Sequence, residues 1–394
     1  MWRELLPVGR HPGTGGYRRH AWTAADAECR AWFAEQARAR GLAYEVDRNG
    51  NQWAWLGDPA AGDAVVTGSH LDSVPDGGAY DGPLGVVAAF AAVDLLRDRV
   101  AGPARPLAVV NFADEEGARF GVACAGSRLM TGALPAEAVT GLRDADGVPL
   151  ADAMERAGHD PAAAGPDPER LARIGAFVEL HVEQGRHLGG TPHPVGVASA
   201  IWPHGRWRFD FRGEANHAGT TRLEDRRDPM PAYAAAVLAA RERAGQLGGL
   251  ATFGKVKVEP GGTNAIPSLV TAWLDCRAPE AAVLEALVED IARAAEDAEV
   301  TCESATPVVR FDRPLRDRVA RVLGGVPVLP TGAGHDAGIL AAAVPTAMLF
   351  VRNPTGVSHS PQEHAEEADC LAGVAALARV LGDLLPASAS LDGS

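Results

Sequence analysis

Four stretches of the chain are apolar almost without interruption: Ala64 to Val66, Pro106 to Phe112, Ile174 to Leu180 and Thr346 to Val351. Each is the length of a strand, and none alternates with polar residues, which predicts strands covered on both faces, as in a parallel sheet flanked by helices. Helical signals lie between them. Thr23 with Asp26 three residues on resembles a capping box, and Gly41 follows the last turn of that segment. Pro83 stands at a natural first helical position for Leu84, Val87, Ala91 and Leu95. The Ala-, Gly- and Pro-rich segment from Asp146 to Pro168 reads as a connection with one short helix. The pattern up to about Val195 predicts an α/β domain with a mostly parallel sheet and helices on both faces.

At about Val197 the pattern changes. Trp207, Phe209 and Phe211 alternate with Arg206, Arg208, Asp210 and Arg212, which predicts a half-exposed strand. Asp228-Pro229 then caps a helix to about Arg243, Thr252 to Val258 and Ser268 to Cys276 alternate as strands, Leu284, Leu287, Val288 and Ile291 mark a second helix, and a last strand lies near Val300. Strand, helix, strand, strand, helix, strand is the split βαβ plan of an α+β unit. Buried-strand character returns after about Val308. The expected organisation is a discontinuous catalytic domain, 1–196 and 308–394, with an inserted dimerisation or lid domain, 197–307.

Composition narrows the function. With 394 residues, 46% apolar and 22% charged, the chain reads as a folded soluble protein of two or three domains. A formal net charge of -14 argues against nucleic acid or an anionic membrane surface as partner. No signal-peptide core or membrane-length apolar run is present, and the five scattered cysteines suit a reducing cytoplasm rather than a disulfide framework.

The chemistry sits at the strand ends. The first run leads to His70-Leu71-Asp72, with Asp81 just before Pro83; the second runs into Asp114-Glu115-Glu116; the third ends on His181, with Gln184 just beyond; the fourth is followed by the loop that carries His359. A satisfied core histidine and a helix cap would explain His70 and Asp81 taken alone. Four apolar strands that each deliver His or an acid point instead to one shared metal site.

The motifs GSHLDSVPDGGAYDGPLG, FADEEGARFG, ELHVEQG, EANHAGTT, GGTNAIP, TGAGHDA and GVSHSP together resemble the N-carbamoyl-L-amino acid hydrolases, β-ureidopropionases and allantoate amidohydrolases, the amidase branch of the aminoacylase and carboxypeptidase-like dinuclear metallohydrolases. The resemblance runs from about Leu5 to Leu384. It implies two divalent ions, Zn or Mn foremost and Co or Ni as alternatives, with Asp81 bridging them. One ion would be held also by His70 and His181 and the other by Glu116 and His359. A shared carboxylate suits the repulsion between ions about 3.5–4 Å apart. By the same resemblance Glu115 is the general acid/base for a metal-activated water, Asp72 fixes the His70 tautomer, and His335 with Asp336 support the ligands from behind. His181 stands where peptidase relatives place an acid.

Further expectations follow from the resemblance. His217 would reach across a homodimer interface to stabilise an oxyanion, Asn264 and Arg277 would hold the substrate carboxylate, and Gln184 would touch substrate. Arg352 departs from the family pattern, and a guanidinium there is expected to bind a second substrate carboxylate, favouring dianions. The function expected is hydrolysis of a non-peptide C–N bond in a small carboxylate-bearing ureido or acylamino compound. Alternatives are an N-formyl amino acid deformylase, a dipeptidase or aminoacylase, and a non-catalytic binding protein on the same scaffold.

Overall fold

The four apolar runs form the centre of one mixed sheet in the computed structural model, which describes residues 1–97, 105–296 and 298–385. Across that sheet lie Ala43–Val46, Gln52–Leu56, Leu107–Phe112, Ala64–His70, Ile174–Val182, Thr346–Val351 and Val195–Ile201, and Val328–Thr331 also pairs with Val195–Ile201. The strands Leu107–Phe112, Ala64–His70, Ile174–Val182 and Thr346–Val351 run parallel, as their continuous apolar character predicts. Gln52–Leu56 and Val195–Ile201 join them antiparallel on either side.

Register aligns the strand ends. His70 lies level with Phe112, and His181 level with Phe350. Because side chains alternate in direction along a strand, this line decides which residues leave the sheet together. The helix Pro83–Arg97 begins on its proline and packs against the C-terminal helix Glu367–Leu384. Phe90 and Val93 of the first, and Leu377 and Leu381 of the second, close over Val178 and Leu349 of the sheet. Each such buried side chain contributes roughly 1.5–3 kcal/mol. The helix Ala24–Ala39 is capped as expected: the Thr23 side chain accepts the Asp26 N–H, and the Asp26 carboxylate accepts the Trp22 N–H at 2.9 Å. The 146–168 segment carries the helix Leu150–Arg156, whose Leu150 and Met154 pack with Phe120 and Leu129 in a separate small core.

The chain divides into two compact units, Met1–Ser199 with Arg310–Ser394, and Ala200–Val309. The second contains an antiparallel sheet in the order Glu299–Thr306, His204–Arg212, Leu269–Arg277, Leu250–Glu259. Its helices, Met230–Leu247 and Ala281–Ala294, bury Ala236, Ala240, Leu287 and Ile291 against Phe209, Phe211 and Leu274. The strand and helix order is the split βαβ plan. Two local details differ from the pattern reading. The first helix runs four residues past Arg243, to Leu247, because Ala244 is still buried and the left-handed stop comes only at Gly248. Asp210, on the polar side of its strand, is buried and accepts the Thr271 hydroxyl at 2.7 Å. A two-stranded ribbon, Asn216–His217 with Ala265–Ile266, completes this unit. No helix among the described residues is long and apolar enough to cross a membrane, and all five cysteines are free.

Candidate metal centre

Just beyond the aligned strand ends, four side chains gather around one carboxylate. Asp81 Oδ1 lies 3.2 Å from His181 Nε2 and 3.7 Å from His70 Nε2. Its other oxygen, Oδ2, lies 3.3 Å from His359 Nε2, which is itself 3.6 Å from Glu116 Oε2. The sequence places these groups locally: His70 and His181 end or nearly end parallel strands, Asp81 precedes the helix that starts on Pro83, and His359 occupies a left-handed backbone position, φ 53°, in the loop after the last strand.

The imidazoles are turned by their outer nitrogens. His181 Nδ1 lies 2.9 Å from the Val182 carbonyl, and His70 Nδ1 lies 3.2 Å from the Asp72 carbonyl and 3.4 Å from its carboxylate. A carbonyl accepts only from an N–H, so the proton belongs on Nδ1 and the Nε2 lone pair faces inward. The N–H of Gly82 points at His181 Nε2 from 3.2 Å, which agrees with that tautomer.

The donor set fits divalent ions. His70, Asp81 and His181 form one group whose ligand atoms lie within 4.8 Å of one another, and Asp81, Glu116 and His359 form another. Buried His70 Nε2 and Glu116 Oε1 have no hydrogen-bond partner, a costly state for polar atoms unless something binds them. Burial and the nearby Asp81 push Glu116 up to about 7, and burial pushes Glu115 well above the usual carboxylate range.

Around this centre the expected supporting residues fall as follows. The Asp72 carboxylate accepts the amide N–H of Glu115 at 3.1 Å and of Glu116 at 3.0 Å, tying the second strand end to the first. Glu115 Oε2 lies 3.8 Å from His70 Nε2. Gln184 Nε2 donates to Asp81 Oδ2 at 2.9 Å and lies 3.3 Å from His359 Nε2, so its amide is inside the cluster. The His335 ring packs 4.5 Å from that of His181, and burial keeps it neutral, well below its usual range. Asp336 accepts the Ser127 hydroxyl at 2.5 Å.

Three residues escaped the sequence reading. Glu363 Oε1 accepts the N–H of Tyr80 and of Asp81, both at 2.9 Å, while Oε2 accepts the Ser358 hydroxyl at 2.8 Å. Its position four residues after His359 was the available signal. Glu179 accepts the Ser69 hydroxyl and the Ala337 N–H beneath His181, and Cys124 meets Glu115. An acid two residues before a strand-end His shares its face, which marks Glu179; nothing local marks Cys124.

Arg352 requires a correction. Its Nε and Nη2 grip both oxygens of Asp369 at 2.8 Å, and Nη1 donates to the Thr191 carbonyl at 3.0 Å. The fork that was expected to read a second substrate carboxylate is spent on one the protein supplies.

In the second unit, His217 is exposed, and its Nδ1 accepts the Gly219 N–H at 3.0 Å. Asn264 adjoins it, with its carbonyl accepting the Ala218 N–H at 3.0 Å. Arg277 is elsewhere. It ends the strand Leu269–Arg277 and pairs with Asp275 at 2.7 Å, whereas Asn264 lies just before the strand's start. Nine extended residues span roughly 26 Å, so a single copy of this unit does not bring Asn264 and Arg277 to one carboxylate.

Known proteins resemble this chain over nearly its whole length. Residues 66–383 match the peptidase family M20/M25/M40. The chain is 38% identical to an N-carbamoyl-L-amino acid amidohydrolase of Geobacillus stearothermophilus over 96% of each chain. It is 34% identical to an allantoate amidohydrolase of Escherichia coli K12 over 97% of each. The structure of an amidase of the hydantoinase/carbamoylase family from Burkholderia vietnamiensis superposes with a TM-score of 0.86 at 30% identity, covering 98% of this chain and 95% of that one. The chain belongs to peptidase family M20/M25/M40, on its branch of N-carbamoyl-L-amino acid and allantoate amidohydrolases.

Proposed function

We propose that this protein is a metal-dependent amidohydrolase that cleaves a non-peptide C–N bond in a small carboxylate-bearing ureido or acylamino compound. The observation that carries the reading is the placement of Asp81, one oxygen toward His70 and His181 and the other toward His359 beside Glu116. In this reading those five residues hold two divalent ions, and Zn, Mn, Co and Ni all suit the mixed imidazole and carboxylate set. Bound there, the ions supply Lewis acidity to a water and to the substrate carbonyl oxygen.

The chain's own groups do the rest. Glu115 takes the proton of the attacking water and gives it to the leaving nitrogen, so the carbonyl carbon gains an oxygen as the C–N bond breaks. The Gln184 amide orients the substrate beside Asp81. His217 donates to the oxyanion, and Asn264 and Arg277 grip the substrate carboxylate. With Asn264 and Arg277 at opposite ends of one strand, a shared carboxylate needs them from different copies of the chain, which supports a homodimer with His217 and Asn264 contributed across the interface. Five unpaired cysteines suit a cytoplasmic setting. The engagement of Arg352 with Asp369 removes the ground for preferring an N-formyl dianion.

A substrate panel tests the reading. After chelation and resupply of single divalent ions, turnover is expected on N-carbamoyl-L-amino acids or allantoate, with ammonia release. Hydrolysis confined to dipeptides would return the protein to the peptidase side of its family.

A further inference from the structure

Glu115 is held more completely than a solvated acid at a strand end would be. Its amide N–H donates to Asp72, and its carbonyl accepts the N–H of Cys124 at 2.6 Å. The pairing continues in step: Ala125 N–H donates to the Asp114 carbonyl and Gly126 N–H to the Ala113 carbonyl, both at 2.9 Å. Three consecutive amides thus zip residues 124–126 onto 113–115. Cys124 is driven into the left-handed region by this pairing, φ 55° and ψ 38°, a conformation that costs a residue with a side chain. The closeness leaves no slack, since a Cβ on Gly126 would come within 2.7 Å of the Ala113 carbonyl oxygen.

That backbone clamp delivers a side chain. The Cys124 thiol donates to Glu115 Oε1 with S···O 3.3 Å, and both groups are buried. Oε2, the other oxygen, is the one that faces His70. Burial beside the Glu115 carboxylate keeps the thiol protonated, and so a donor.

We propose that Cys124 is a positioning residue for Glu115, its S–H holding Oε1 so that Oε2 alone is presented to the water. The inference rests on the reading of Glu115 as the general base. A carboxylate free to rotate about its last torsion would present either oxygen, or turn toward the ions and ligate. A thiol restrains it with a weak bond, so the carboxylate keeps its basicity.

Two measurements on the metal-loaded enzyme test it. Cys124→Ala is expected to lower kcat about tenfold with KM and divalent ion content unchanged, the loss of one hydrogen bond to a charged group. Cys124→Ser, which restores a donor, is expected to return kcat to within about threefold of the parent. Parental kcat in Cys124→Ala, or a Cys124→Ser no faster than it, would overturn the proposal. The second readout needs no turnover. The infrared S–H stretch of Cys124, isolated by difference against Cys124→Ala, is expected at a hydrogen-bonded frequency and to shift to that of a free thiol in Glu115→Ala. An unshifted band overturns the contact whatever the two cysteine variants do to kcat. Failure of the underlying reading looks different: Glu115→Gln would keep its turnover, whatever the thiol does.

Discussion

Glu363 accepts the backbone N–H of Asp81 at 2.9 Å, so the carboxylate proposed to bridge two ions is aimed by a second carboxylate from the loop that carries His359. Ser358, donating to Glu363 at 2.8 Å and lying 3.4 Å from Asp81 Oδ2, closes the link between the two loops. Removing such outer support typically costs 10–100-fold in metal affinity. Glu363→Ala is therefore expected to weaken divalent ion binding by about tenfold or more with the fold retained. Glu363→Gln, which keeps an acceptor for Asp81, should lose less. Competition with a chelator of known affinity measures both, and an unchanged affinity in Glu363→Ala would remove Glu363 from the site's support.

Asp336 makes the metal-free protein sensitive to pH. Burial, with Glu179 adding, pushes its carboxyl up from 3.8 to about 8. Between those values the folded chain holds a proton that the unfolded chain releases. Raising the pH through that window therefore favours the unfolded state, and the stability contributed by the neutral acid, full below about pH 4, is lost by about pH 8. Asp336→Asn keeps an acceptor for the Ser127 hydroxyl and has no proton to lose. In chelator, its Tm should fall less steeply than the parent's between pH 6 and 8, and curves of equal slope would contradict the buried neutral acid.

The Arg352 pair predicts a structural effect rather than a kinetic one. Asp369 is 6% exposed and would be left without its cation. Arg352→Ala is expected to cost about 2 kcal/mol of stability. The ratio of KM for a dianionic N-carbamoyl amino acid to that for a monoanionic one should stay unchanged. A selective rise for the dianion would show that the arginine leaves Asp369 to bind substrate.

How far the site was legible depended on where its information lay. Buried parallel strands must be apolar along their whole length, so His70, His181 and the Glu115-Glu116 pair stood out as abrupt polar ends, and the helix at Pro83 was announced by its own first residue. Arg352 looked available because its partner lies 17 residues away at the start of a helix, a pairing no local pattern encodes. Cys124 was invisible for a similar reason: its meaning comes from a backbone zip between two loops.

The strand Leu269–Arg277 leads to the remaining prediction. His217 and Asn264 adjoin its start, Arg277 is its end, and the strand is too long for one chain's pair to meet on a single carboxylate. If all three serve one substrate, two copies of the chain build each site. A Glu115→Gln protein and a His217→Ala protein would each be inactive alone, because every site lacks one group. In a mixed dimer, one site receives Glu115 from the His217→Ala chain and His217 from the Glu115→Gln chain, while the other receives neither. Random exchange of equal amounts makes half the dimers mixed, so activity per subunit should recover to roughly a quarter of the parent. Mass spectrometry of isotope-labelled subunits confirms exchange independently of activity. Proven exchange with no recovery would mean that each chain uses its own His217, and that Arg277 does not share a carboxylate with Asn264.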